Sequence, residues 1–216
     1  MSNKVTITSM NAQGLGDKNK RKDLLNLLKS RKYSICMLQD THFTDTEEIF
    51  IRSQWGYECF FSNYNSQSRG VAILINNTFE FKVNNIERDD NGNLLILSCK
   101  ICNKNVKLIS IYGPNRDNPA IYQDLGNRMS KYENDLFILA GDFNLILNPD
   151  IDSFNYVNLN NQNARDQVIN LMTNYNLIDC WRENNIESKE YTWFRKNPIK
   201  KLDYIIFQFR RTCLLI

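Results

Sequence analysis

The sequence predicts an α/β protein built on a sheet of buried strands, and three observations carry that prediction. Strand-type and helix-type patterns alternate along the whole chain, with no repeat, linker or low-complexity tract between them. The run Leu136 to Ala140 is apolar and ends at Gly141, which is the signature of a buried strand bounded by a turn former. Four apolar runs end on a polar or phenolic side chain: Asn11, Asp40, Tyr112, and the pair Asp142 and Asn144. In open α/β sheets ligands collect outside the carboxyl ends of strands. A convergent set of strand ends is therefore where a site is expected.

Each element has its own justification. Val5, Ile7 and Ser9 alternate with Thr6 and Thr8 and read as a strand ending at Asn11. Leu24, Leu25, Leu27 and Leu28 recur at helical spacing, which predicts an amphipathic helix over about 20–29. Ile35 to Leu38 is a short buried strand running into Gln39-Asp40-Thr41-His42, and Thr44-Asp45-Thr46-Glu47 reads as a helix start. Strands follow at Tyr57 to Phe61 and at Val71 to Ile75, the second opened by Gly70. Leu94 to Cys102 and Val106 to Ile111, joined by Asn103-Lys104-Asn105, predict a hairpin ending at Tyr112-Gly113-Pro114. Asn118-Pro119 caps a helix to about Tyr132. After the buried strand at 136–140, Ala164 to Asn174 reads as a helix, and Tyr191 to Phe194 and Leu202 to Phe207 as strands.

Composition sets limits on function. The 216 residues suit one large domain, and 42% hydrophobic and 12% aromatic content excludes a disordered chain. Met1 to Met10 lacks the apolar core of a secretory signal, and no apolar run approaches a membrane span, so a soluble intracellular monomer without a membrane partner is expected. Six scattered cysteines read as reduced thiols. Cys99 and Cys102 would face opposite sides of a strand and have no second pair nearby, which argues against zinc. Net charge is only +3, yet residues 189–211 hold seven basic side chains against Glu190 and Asp203. That cluster is either a phosphate-attracting patch or a solvated loop.

The chemistry at the strand ends is oxygen chemistry. Carboxylates, amides and a phenol suit Mg²⁺ (or Mn²⁺) and a phosphate, and the glycine patterns of nucleotide cradles are absent from the sequence. Asp142 and Asn144, two apart, would point the same way on an extended chain, although Gly-Asp-Phe-Asn in isolation fits an Asx-type turn equally well.

The motifs Ser-Met-Asn-Ala-Gln-Gly-Leu (9–15), Leu-Gln-Asp-Thr-His (38–42), Ser-Arg-Gly-Val-Ala-Ile-Leu (68–74), Ile-Tyr-Gly-Pro-Asn (111–115), Gly-Asp-Phe-Asn (141–144), Tyr-Thr-Trp-Phe (191–194) and Lys-Leu-Asp-Tyr-Ile (201–205) resolve that ambiguity. In this order they resemble the endonuclease domain of long-interspersed-type retrotransposons. That domain belongs to the endonuclease/exonuclease/phosphatase family, with apurinic endonucleases and pancreatic deoxyribonuclease. The resemblance implies a four-layer α/β/β/α sandwich of two mixed sheets with helices outside, over residues 1–209. It implies metal-assisted hydrolysis of a DNA phosphodiester, leaving a nick that would prime a partner reverse transcriptase domain, in the nucleus.

Residue by residue, the resemblance implies that Asn11 contacts the scissile phosphate, Asp40 holds the metal and Tyr112 orients the phosphate. Asp142 would position and activate water, Asn144 stabilise the transition state, and Asp203 orient a catalytic histidine. Thr192 and the basic turn with Arg195, Lys196, Lys200 and Lys201 would contact DNA. Two departures stand out. The family has Glu where this chain has Asp40, a carboxylate drawn back by about 1.5 Å. The family's closing Ser-Asp-His and last strands have no counterpart before Ile216, so the domain is expected to be truncated and its activity impaired. A dead, DNA-binding remnant and a phosphatase or phosphodiesterase of the same fold are the alternatives. The one histidine, His42, is expected to fix its own loop. Residues 210–216 form an atypical tail whose Cys213 formally fits a prenylation box, and an arbitrary read-through explains the tail as well.

Overall fold

Apolar residues spaced by two on strands, and by three or four on helices, sort this chain into two large sheets back to back, beside a small three-stranded one among the described residues. A computed structural model describes residues 4–77, 79–132, 134–155, 161–194 and 199–208. The first half runs β1 (Ile7–Asn11), α1 (Lys18–Ser30), β2 (Ile35–Gln39), a 3₁₀ turn (Asp45–Glu47), α2 (Glu48–Trp55), β3 (Cys59–Ser62) and β4 (Val71–Ile75). It continues through β5 (Phe81–Arg88), β6 (Leu94–Ile101), β7 (Lys104–Tyr112), α3 (Ala120–Met129) and β8 (Leu136–Asp142). The remainder is β9 (Ser153–Phe154), α4 (Gln162–Asn174), β10 (Leu177–Asp179), α5 (Cys180–Asn184), β11 (Trp193–Phe194), β12 (Ile199–Lys200) and β13 (Asp203–Gln208).

Sheet one has the order β1-β2-β4-β3, and sheet two the order β10-β13-β8-β7-β6-β5. Both are mixed: β1 and β2 run parallel, as do β7 and β8, and the other pairings are antiparallel. Three apolar layers result. Leu38, Phe61, Ala72 and Leu74 pack under α1 and α2, and Ile109, Phe137, Leu139 and Ile206 pack under α3 and α4. Between the sheets lie Ile35, Met37, Ile73, Leu97, Leu108 and Ala140. This is the four-layer α/β/β/α sandwich the sequence motifs imply. A fully buried side chain of this size stabilises by about 1.5–3 kcal/mol, so the inter-sheet layer fixes how the two sheets dock.

Local chemistry sets the boundaries. Asp17 accepts the Lys20 N–H at 2.8 Å and starts α1. Gly56, at φ +80°, ends α2 and delays β3 to Cys59, two residues beyond the expected start at Tyr57. Cys102 and Asn103 both take positive φ, so the β6–β7 turn has two residues and Lys104 already belongs to β7. The helix expected to reach Tyr132 stops at Met129. Arg195 and Lys196, Cys213 and the basic tail lie outside the described residues.

Candidate active site

Asp142 is the last residue of β8, and its position follows from strand parity. Ile138 and Ala140 face the inter-sheet layer while Phe137 and Leu139 face α3 and α4, so Asp142 continues the inter-sheet row at the rim. Two neighbours flank it in register. Tyr112 ends the parallel strand β7 opposite Asp142, and Asp203 begins the antiparallel strand β13 opposite it. Three side chains from three adjacent strands thus stand in one row.

Close backbone approach is what brings them there. A Cβ on Gly141 would fall 1.9 Å from the Ile111 carbonyl oxygen, and one on Gly113 would fall 2.1 Å from that of Phe143. Only glycine lets the ends of β7 and β8 meet this closely. The Tyr122 hydroxyl adds a buried hydrogen bond to the Phe143 carbonyl at 2.7 Å.

Sheet one closes the site from the other side. Asn11 Nδ2, at the end of β1, donates to Asp142 Oδ2 at 2.9 Å across 131 residues of sequence. Asn144 takes φ +52°, so its backbone N–H reaches Asp142 Oδ1 at 2.9 Å while its Nδ2 donates to the Gly113 carbonyl at 2.7 Å. Asp40, with φ +52°, turns away from the end of β2. Its Oδ1 accepts the Arg69 N–H at 3.0 Å and meets His42 Nε2 at 3.0 Å. The His42 ring also presses on Gly14, where a Cβ would fall 2.7 Å from Nδ1, as expected of a side chain that fixes its loop. Asn11, Asp40, Tyr112, Asp142, Asn144 and Asp203 therefore all gather at one rim.

Electrostatics make this cluster a cation-seeking one. Burial raises the Asp142 pKa, the Asp40 charge raises it further, and hydrogen bonds from Asn11 and Asn144 oppose the rise. Asp203 is pushed up from its ordinary 3.8 to about 7 by burial first and the Asp142 charge second, with the Thr192 hydroxyl acting against them. Tyr112 rises to about 12 through burial and the charges of Asp40 and Asp142, so its hydroxyl remains a donor. Asp203 Oδ1 is buried with no hydrogen-bond partner among the described residues.

Among the described residues, only His42 on Asp40 brings a basic side chain into ion-pair contact with any of the three carboxylates. Hard oxygens in excess of local positive charge fit Mg²⁺ or Mn²⁺. No group of three acidic, histidine or cysteine side chains among the described residues is drawn into a closed cage. A divalent ion that keeps several waters needs only one or two carboxylates, and Asp40 and Asp142 are the residues here that could supply them.

The residues expected to contact DNA divide. Lys201 is 4% exposed, and its Nζ pairs with Asp179 Oδ2 at 2.5 Å beneath the rings of Trp181 and Tyr204. A buried ammonium is not a phosphate contact, so that expectation is corrected: Lys201 holds β13 to the start of α5. Lys200 is half-buried with Nζ over the Trp193 ring at 5.3 Å. Thr192 Oγ1 accepts the N–H groups of Leu202 and Asp203 at 3.0 and 3.2 Å, so it positions the start of β13.

Sequence reasoning missed two supports. Gln39 joins the sheets, its Nε2 donating to Ser110 Oγ at 3.2 Å and its Oε1 accepting from Ser9 Oγ at 3.3 Å. The alternation of Ile35, Met37 and Gln39 could have placed it on the inter-sheet face. Asn161 Nδ2 donates to the Asn144 carbonyl at 2.6 Å and holds the site loop, a contact with no local sequence signal.

Residues 8–208 match the endonuclease/exonuclease/phosphatase family. Over 194 residues the chain is 26% identical to the "Transposon TX1 uncharacterized 149 kDa protein" of Xenopus laevis, covering 88% of this chain and 15% of that protein's length. Its fold is similar to an AP endonuclease from Archaeoglobus fulgidus, with a TM-score of 0.75, 16% identity, and 94% and 86% of the two chains covered. It is also similar to the AP endonuclease LMAP from Leishmania major, with a TM-score of 0.74, 17% identity, and 94% and 79% covered. At such identities these likenesses speak to the fold.

Proposed function

The chain belongs to the endonuclease/exonuclease/phosphatase family, and from that premise we propose that it is a metal-dependent endonuclease domain of mobile-element origin that hydrolyses a DNA phosphodiester and leaves a nick. The observation that carries this reading is the row Tyr112, Asp142 and Asp203 on adjacent strands, tied across the sheets by Asn11. The transposon relative supports the mobile-element origin. A reverse transcriptase domain as partner, and the nucleus as compartment, follow from that origin.

In the proposed reaction Asp142 positions water and accepts its proton, with both carboxylate oxygens already oriented by Asn11 and Asn144. Tyr112 stays protonated and donates to a phosphate oxygen. Asn11 and Asn144 supply amide donors where negative charge develops. When bound at Asp40, the divalent cation supplies Lewis-acid polarisation of a phosphoryl oxygen. His42 is engaged with Asp40, so no imidazole reaches Asp203 within these residues.

A supercoiled-plasmid assay tests the proposal. Relaxation in Mg²⁺ that disappears in EDTA, and falls at least about 100-fold in Asp142→Ala, is expected. One competing reading is a remnant that binds DNA without turnover. It predicts binding with no relaxation, and a phosphatase of the same fold would instead release phosphate from a monoester. Either result refutes the nuclease reading.

A further inference from the structure

Tyr112 is the last residue of β7, and a side chain at a strand end lies where its backbone is held. The register of β6 against β7 closes with Leu94 opposite Ile111, so Asn93 stands opposite Tyr112. In an antiparallel ladder a hydrogen-bonded pair exchanges two bonds, N–H to carbonyl in each direction. Backbone makes only the first of them here, from the Tyr112 N–H to the Asn93 carbonyl at 2.8 Å. The Asn93 N–H is turned away, onto Asp89 Oδ1 at 2.8 Å.

A side chain supplies the second bond. Asn93 Nδ2 donates to the Tyr112 carbonyl at 2.5 Å, and because a carbonyl only accepts, this contact fixes which end of the amide faces it. Both backbone groups of Tyr112 are thereby taken by one residue, itself 7% exposed. The next residue, Gly113, passes to β8, with its N–H on the Asp142 carbonyl at 2.7 Å.

Asn93 is held in its turn. Asp89 Oδ1 also accepts the Leu94 N–H at 2.8 Å and the hydroxyl of Ser62, the last residue of β3, at 3.2 Å. The Gly92 carbonyl accepts the N–H of Gly70, just before β4, at 3.0 Å. The 89–93 turn is therefore anchored to sheet one before it reaches Tyr112. At the other end of this series of bonds the Tyr112 hydroxyl is hydrogen-bonded to Asp40 and Asn144. A tilt of the Tyr112 backbone would carry it off both.

We propose that Asn93 is a positioning residue for Tyr112: its side-chain amide stands in for the backbone N–H that Asp89 has taken, and the bond it makes sets where the Tyr112 hydroxyl lies. The inference rests on the nuclease reading for what that hydroxyl does, and on the hydrogen bonds alone for how it is held. In the sequence Asn93 passes for a turn former after Gly92, because the residue it serves lies 19 positions on.

The test uses the full chain carrying ¹³C at the tyrosine ring Cζ, in EDTA at neutral pH, with the Tyr112 resonance assigned by its loss in Tyr112→Phe. Asn93→Leu keeps the side-chain shape and removes the donor. Asn93→Ala leaves room for a water that satisfies the carbonyl without fixing its direction, so it reports even if Asn93→Leu fails to fold. In both, the Tyr112 resonance should move toward that of free tyrosine while the other tyrosine resonances stay in place. In Mg²⁺ the nicking kcat should fall about 10–100-fold with KM nearly unchanged, and adding Tyr112→Phe should lower it no further than Tyr112→Phe does alone.

A Tyr112 resonance unmoved in both variants, equal movement of every tyrosine resonance, or losses that multiply in the double variant would each overturn the proposal. If the parent chain does not nick but the Tyr112 resonance moves alone, the positioning role stands and the nuclease reading falls. Nicking by the parent with that resonance unmoved does the reverse.

Discussion

Replacing Asp203 by Asn should stabilise the metal-free protein above neutral pH while leaving it unchanged in acid. Its carboxyl is raised from 3.8 to about 7, by burial and then by the Asp142 charge, and Oδ1 lacks a partner among the described residues. The folded pKa lies above the unfolded one, so the protonated group contributes stability that is fully present below about pH 3.8. That stability is lost as pH rises through 7. At about 1.4 kcal/mol per pH unit the ceiling is about 4 kcal/mol. The Asp142 share is relieved only jointly, so a gain of about 1–3 kcal/mol at pH 8 is expected. That is a midpoint rise of about 3–10 °C for a chain of this size. Urea unfolding of both proteins in EDTA at pH 4, 6 and 8 reads the difference. An Asp203→Asn protein no more stable than the parent at pH 8, or a gain of equal size at pH 4, would refute the argument.

Other perturbations follow from the geometry. Gly141→Ala places a methyl 1.9 Å from the Ile111 carbonyl oxygen and should destabilise by about 3 kcal/mol or more, read by the unfolding midpoint. Lys201→Met leaves Asp179 as a buried, uncompensated charge and should cost about 3–5 kcal/mol, most of it recovered in the double variant with Asp179→Leu. His42→Ala removes the ring that orients Asp40 and should raise the Mg²⁺ concentration for half-maximal nicking about 10–100-fold, with the rate at saturation nearly unchanged.

The inter-sheet strands were legible because their apolar runs are long and end on turn formers, as at Val71–Ile75 and Leu136–Asp142. β5 was not, since it is an edge strand whose apolar alternation, Phe81 and Val83 around Lys82, is lost at Asn84-Asn85, where its pairing slips. β10, β9 and β12 are two or three residues long, too short for any period to register. At the site, motifs supplied the residue types, and strand parity explains why Asn11 and Asp142 share a rim. Lys201 was misread because charge along a sequence carries no direction; Asp179, 22 residues away, decides where that ammonium lies.

The hydrogen bond from Asn11 to Asp142 joins the first strand to the eighth, so the candidate centre has no half-built form. Either sheet could assemble by itself and still lack an Asp142 carboxylate with both oxygens oriented. Contacts this remote in sequence form late and slowly, after the intervening chain has closed. Recovery of nicking during refolding should therefore lag the return of strand and helix signals, making catalysis a reporter of sheet docking.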